Sequence, residues 1–343
     1  VTTGDRTLFA GIDLGGTNFV AALGDADGAV VAEERQPTAA HEGPTAVLGR
    51  IAATVERLAA AAGRAPSAVG LGVPGLVDFA SGETRFLPNL PTQWRGVPAA
   101  GVLSARLGCP VHLLNDARAA ALGESMFGHG RGARTMVLFT LGTGVGGGVV
   151  IDGRLRLGPL GAAGEIGHIC VQPGGLLCGC GCRGCLETIV SGPALTAEGV
   201  RIVLSGNAPL LHEICGGEVA RVSPETLGAA ARAGDPAARA VLERAGGLLG
   251  LAAASVVLTL HPDLIVLGGG VASLDELLIG PMRRALGEHV RMFPVDGVRI
   301  ARSQLGDRAG VFGGLAAAVM GGVMRAAEAG SPLSRGAAEG RPG

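Results

Sequence analysis

One local plan occurs twice in this chain and constrains its fold more than any single residue does. An apolar, strand-forming run meets a glycine-rich turn, a second run follows, and an Asp-Gly pair turns the chain again. The first copy is LFAGIDLGGTNFVAALGDADGAVVAEERQ at residues 8–36, and the second is MVLFTLGTGVGGGVVIDGRL at 136–155. Short β-branched and apolar runs broken by Gly-Gly and Asp-Gly read as antiparallel strands joined by tight turns. Helical patterns follow each copy, so the chain is expected to be α/β and to repeat its own scheme.

Between and after the copies the punctuation is clear. A helix is expected over 44–62, with Pro44 at its first position and apolar residues at three-to-four spacing. AVGLGVPG at 68–75 reads as a short strand, and 87–94 is rich in turn residues. The run at 110–114 reads as a buried strand that delivers Asn115 and Asp116 to the start of a helix, DARAAALGESM. Helical patterns dominate 223–255, and DLIVLGGGV at 263–271 is a further strand. Ser273 with Glu276 has the spacing of a capping box on the next helix. A last Gly/Ala helix is expected over 311–329, and the Gly/Ser/Pro/Arg-rich tail at 330–343 is expected to be disordered.

Composition narrows the chemistry. With 343 residues, 48% of them apolar and 17% charged, the chain can bury a large core and has room for two domains. A net charge of −1 argues against an electrostatic nucleic-acid or anionic-membrane footprint. No basic stretch followed by an apolar core opens the chain, and the longest apolar run, 245–260, is short for a membrane span. A cytoplasmic protein is therefore expected. The chain contains neither lysine nor tyrosine, so all 28 of its basic side chains other than histidine are arginines. That excludes a Walker A lysine, a Schiff-base lysine and a tyrosine general acid together. Asp, Glu, His, Cys, Ser/Thr, Arg, backbone or metal must do the work.

Two stretches match G-x-G-x-x-G: GLGVPG at 70–75 and GTGVGG at 142–147. The motif means dinucleotide binding only when it follows a strand and opens a helix, whose N-terminus meets the pyrophosphate. Here VVIDGRL follows one match and LVDFASG the other, and neither has a helical period. The glycine turns between strands, DLGGTN at 13–18 and LGTGVGGG at 141–148, are either plain hairpins or concave nests of backbone N–H groups that suit phosphate oxygens.

Four cysteines fall within residues 178–185, ten residues after His168. A reducing compartment and one-residue separations argue against disulfides. The spacing C-x-C-x-C-x2-C does not fit the usual iron–sulfur runs. Zinc fits better, because three thiolates and one imidazole make a closed tetrahedral site, and His168 is the only histidine near the cluster.

Taken together and in order, DLGGTN, LLNDARAAALGE, LGTGVGGGVV, GEIGH followed by CGCGCRGCLE, and HPDLIVLGGGV resemble the ROK family of bacterial sugar kinases over residues 9–329. The resemblance implies a two-lobed, actin-like (ribonuclease H-like) α/β fold with a nucleotide cleft between lobes. It divides the chain into a small lobe at 1–116, a large lobe carrying the zinc loop at 117–308, and a helix at 309–329 that returns to the small lobe. It also implies ATP-dependent phosphorylation of the 6-hydroxyl of a hexose, glucose foremost, with fructose and N-acetylmannosamine as alternatives.

Phosphoryl transfer needs positioning, charge neutralisation and one proton acceptor. Local sequence leaves Asp116 either a helix cap or a base; the family pattern makes it the base. By the same resemblance Asn89, Asn115, Asp116, Glu165, His168 and Glu187 contact the sugar. Asp13, Gly15, Gly16, Thr17 and Asn18 in the first turn, Gly142, Thr143 and Gly144 in the second, and Gly268, Gly269 and Gly270 approach the nucleotide. Asp13 beside phosphates calls for Mg²⁺. The family pattern selects His168, Cys178, Cys180 and Cys185 for zinc and leaves Cys182 as a free thiol or a substitute ligand. Asn18 stands where many members have lysine, and Arg118 where asparagine is frequent. A homodimer is implied, and neither nucleic acid nor membrane is an expected partner. Sugar-responsive ROK repressors carry a DNA-binding domain ahead of the first glycine turn; only twelve residues precede Asp13 here, so a regulator is the weaker expectation.

Overall fold

The computed structural model describes residues 6–87 and 90–321. Tertiary contacts divide the chain into two compact units, the first comprising the residues up to Phe127, Arg154–Ala163 and those from Gly310 on, and the second Gly128–Gly153 with Gly164–Ala309. Each has its own apolar core.

The first unit opens with the expected meander: β1 (Phe9–Leu14), β2 (Asn18–Gly24) and β3 (Val30–Pro37). Helix α1 (Pro44–Ala62) has the bounds read from sequence. Proline sits in its first turn, Gly63 in a left-handed conformation ends it, and Val47, Leu48, Ile51, Val55 and Leu58 are buried. There follow β4 (Val69–Val73), a small antiparallel pair, β5 (Leu76–Asp78) and β6 (Glu83–Phe86), then α2 (Ala99–Leu107), β7 (Val111–Asn115) and α3 (Asp116–Phe127). The main sheet has the order β3-β2-β1-β4-β7, antiparallel in its first three strands and parallel in β1, β4 and β7.

The second copy of the plan supplies β8 (Thr135–Leu141), β9 (Val145–Ile151) and β10 (Arg154–Leu155). Helices α4 (Glu187–Val190), α5 (Gly192–Leu204), α6 (Pro209–Ile214), α7 (Pro224–Ala233) and α8 (Pro236–Leu260) precede β11 (Leu264–Gly268), α9 (Glu276–His289) and β12 (Arg299–Arg302). The sheet order is β10-β9-β8-β11-β12, with β8, β11 and β12 parallel. The two sheets thus share one scheme: strands reached by hairpins on one side, crossover strands on the other. Helix α8 is long and apolar enough to cross a membrane, yet 61% of its most apolar window is buried in the protein, as befits a core helix.

Helix α10 (Ala309–Val319) closes the first unit and lies against β1 and β4 with almost no side chain between: a Cβ on Gly70 would sit 1.9 Å from the Gly314 carbonyl oxygen. Two local expectations change. Ser273 does not cap α9; it belongs to a 3₁₀ turn, Gly270–Leu274, and the cap position is taken by Asp275 at φ 52 without a side-chain cap bond. The last helix ends at Val319, where the chain turns through Gly321 at φ 67, and the remainder of the expected 311–329 helix, the tail at 330–343 and Asn89 lie outside the described residues.

Candidate active site

In the first unit the parallel ladder aligns the carboxyl ends of three strands. Asp13 on β1 pairs with Gly72 on β4, and Val73 pairs with Asn115 on β7. Strand ends of this kind are where open α/β sheets bind ligands. Asp116, the next residue, begins α3. Capping of α3 falls mainly to Asn115, whose Oδ1 accepts from the Ala117 and Arg118 N–H groups at 3.1 and 3.2 Å and from Arg118 Nη1 at 3.1 Å. The Asn115 Nδ2 donates to the Gly75 carbonyl at 3.1 Å and to Asp116 Oδ1 at 2.8 Å. Asp116 Oδ1 also accepts from the Ala117 N–H at 2.8 Å. Arg118, bonded to the same Asn115 oxygen, is buried.

Asp13 is the second carboxylate. Burial, and then the neighbouring Asp116 charge, push its carboxyl up to about 6, against a smaller pull from Arg35. Gly310, in the first turn of α10, lies against it: a Cβ there would be 2.3 Å from Asp13 Oδ2. Two acidic groups on the same edge of the sheet, with β4 between their strands, suit a hard divalent cation. The first glycine turn is closed by the Gly15 N–H on the Asn18 carbonyl at 3.0 Å and tied down by Thr38, whose Oγ1 donates to Gly15 O at 2.7 Å and whose N–H donates to Thr17 O at 2.8 Å. Gly16, Thr17 and Asn18 are exposed.

In the second unit the glycine turn at 142–144 joins β8 to β9 and, as the sequence pattern implies, opens no helix. Gly142 N–H donates to Gly144 O at 2.9 Å, and Thr143 and Gly144 are exposed. The turn after β11 meets the same place. Gly269 has φ 83, and a Cβ on it would lie 2.3 Å from the Leu141 carbonyl oxygen, so only glycine seats this backbone beside the end of β8.

The metal-ligating set assembles in the same unit. One donor atom each from His168, Cys178, Cys180 and Cys185 lies within 4.8 Å of all the others. Cys178 Sγ is 3.6 Å from His168 Nδ1, and Cys180 Sγ is 3.7 Å from Cys185 Sγ. Donor separations of this size, with three thiols and one imidazole, fit the edges of a tetrahedron around zinc. His168 Nε2 faces Glu165 Oε2 at 3.9 Å, beyond hydrogen-bond distance. Burial pushes the Cys185 thiol up to about 12, with Cys180 and Cys178 adding to the effect, so a cation must displace its proton to bind. Cys182 is exposed and outside the set; its carbonyl accepts from the Cys178 N–H at 2.8 Å.

Glu187, at the start of α4, contacts both features: Oε2 accepts from the Val145 N–H at 2.9 Å and Oε1 lies 3.4 Å from Cys178 Sγ. The first unit thus brings together Asp13, the turn at 15–18, Asn115 and Asp116. The second brings together Gly142, Thr143, Gly144, Glu165, His168, Glu187 and Gly268–Gly270. Gly310 and the Val145 N–H were not among the residues read from sequence. Gly310 sits in a Gly/Ala-rich helix whose composition suggests only close packing.

Comparison with known proteins covers almost the whole chain. The ROK family pattern matches residues 9–320. The glucokinase of Thermotoga maritima is 36% identical over 312 residues, 88% of this chain and 94% of that protein. A crystal structure of a ROK family glucokinase from Streptomyces griseus in complex with glucose and AMPPNP superposes with a TM-score of 0.77 at 34% identity, covering 91% of this chain and 99% of the other. The xylose repressor of Caldicellulosiruptor bescii is 30% identical over 72% of this chain and 61% of its own length.

Proposed function

The chain belongs to the ROK family of sugar kinases, and from that premise we propose that it transfers the γ-phosphoryl group of ATP to the 6-hydroxyl of a hexose, glucose foremost. The observation that carries this reading is the pair of carboxylates on one edge of the sheet, Asp13 at the end of β1 and Asp116 after β7, close enough for their charges to interact, with Asp116 oriented by Asn115. Asp116 accepts the proton of the sugar's primary hydroxyl, and the oxygen attacks the γ-phosphorus in line as ADP departs. Asn115, Glu165, His168 and Glu187 contact the hexose hydroxyls, to which carboxylates and amides offer paired bonds. The turns at 15–18 and 142–144 take the phosphates on backbone N–H groups, and Gly268–Gly270 lie along the nucleoside. Asp13 would hold Mg²⁺, which would supply neutralisation of the phosphate charge. His168, Cys178, Cys180 and Cys185 would hold zinc, which would order the loop that carries Glu165 and Glu187 rather than take part in the chemistry.

Glucose is favoured over other hexoses because the glucokinases above cover nearly the whole chain at 34–36% identity. A coupled ADP-release screen across glucose, fructose, mannose, N-acetylmannosamine and N-acetylglucosamine tests the proposal. The highest kcat/KM is expected for glucose. A different winner replaces the sugar, and no release with any of them removes the kinase reading.

A further inference from the structure

The loop carrying the His/Cys site is packed onto the second glycine turn, and Glu187 is the side chain that touches both. Its Oε2 accepts the Val145 N–H at 2.9 Å, and the Cys178 thiol donates to Oε1 at 3.4 Å, a bond that ligation as thiolate would remove; Glu187 is tied to the metal set in either state as the second residue after Cys185. A Cβ on Gly144 would lie 2.6 Å from Oε2, so the carboxylate rests directly on the turn. Three further contacts press the same segments together. A Cβ on Gly167 would be 1.9 Å from Val145 O, and one on Gly147 would be 2.3 Å from the Ile166 Cδ1 atom. The Gly192 N–H donates to Gly142 O at 2.8 Å. The conformation of 142–147 is thus dictated by residues 164–192, and the conformation of that loop by whatever holds its four ligands together.

We propose that Glu187 is a positioning residue that ties the His/Cys site to the second glycine turn, so that filling the metal site sets how tightly the turn grips the nucleotide. This rests on the reading that the turn holds the phosphates of ATP. It extends the role of the metal loop beyond sugar contact. Each Glu187 oxygen retains a second lone pair, so the bridge leaves room for a hexose hydroxyl.

The test is AMPPNP binding to the full chain by calorimetry in the absence of sugar, on zinc-loaded protein, on protein stripped by a chelator, and on stripped protein reloaded with zinc. Stripping is expected to weaken AMPPNP about tenfold and reloading to restore it, the scale of one charge-assisted hydrogen bond. Zinc-loaded Glu187→Ala is expected to show the same loss, and stripping it is expected to add little, because the two changes break one linkage. Glu187→Gln, whose amide oxygen still accepts from Val145, is expected to bind AMPPNP like the parent. Wild-type affinity in Glu187→Ala, with only the hexose KM raised, would overturn the proposal. If stripped protein loses its fold by circular dichroism, the zinc-loaded Ala and Gln variants decide alone. Zinc-loaded wild type that neither binds AMPPNP nor releases ADP would instead remove the kinase reading.

Discussion

Asp13 and Asp116 stand side by side at strand ends, and each meets that closeness differently. Asp116 is hydrogen-bonded by Asn115, whereas Asp13 is pushed up to about 6. A carboxyl at about 6 when folded, against an ordinary value of 3.8, binds its proton more tightly in the folded chain. Its contribution to stability is therefore fully present below about pH 4 and is lost as pH rises through about 6. Asp13→Asn is expected to raise Tm at pH 7.5, by at most about 3 kcal/mol of stability, to leave Tm at pH 4 unchanged, and to abolish turnover. Thermal melts at the two pH values check it. Asn115 carries a double load, capping α3 and aligning Asp116. Asn115→Ala is expected to cost about 1–2 kcal/mol in urea denaturation and to lower kcat as well. Asn115→Ser, which can still cap, should recover most of the stability and little of the rate.

Elements explain why such residues could be read in advance only in part. Helix α1 and both hairpins follow from local signals: proline at a first turn, apolar spacing, Gly-Gly and Asp-Gly turns. Helix α5 was not anticipated, because Gly192 and Gly199 look like breakers; yet a Cβ on Gly199 would lie 2.7 Å from Val222 Cγ1, so that glycine serves packing. The capping-box reading of Ser273 failed because Gly269 and the turn at Gly270–Leu274 place the serine inside a 3₁₀ segment before α9 begins. The His/Cys cluster was legible because its spacing is local, with the family pattern choosing three of the four cysteines, while the contact between Gly310 and Asp13 joins distant parts of the chain and leaves no local mark. Gly310→Ala is expected to destabilise by about 1–3 kcal/mol, a cost that should largely vanish in an Asp13→Ala background, measured as a double-mutant cycle. For the metal loop, elemental analysis should give about one zinc per chain, and Cys185→Ser should lose both the zinc and several degrees of Tm.

At the scale of the whole molecule, the repeated plan becomes two sheets of matching order, each with a glycine turn at the end of its first parallel strand. In the proposed reaction the first unit would supply the base and the cation-binding carboxylate, and the second a phosphate turn and the sugar-contacting loop. Repetition of strands and turns could be seen in the sequence. Which residue caps α3 could not, since Asn115 and Asp116 are both good caps and only the long-range bond of Asn115 to the Gly75 carbonyl separates their roles. The most direct measurement is the turnover of Asp116→Asn with glucose and ATP, taken alongside glucose binding by calorimetry. The proposed proton transfer predicts a fall in kcat of about 10²- to 10⁴-fold with glucose affinity little changed; a kcat near that of the wild type would contradict it.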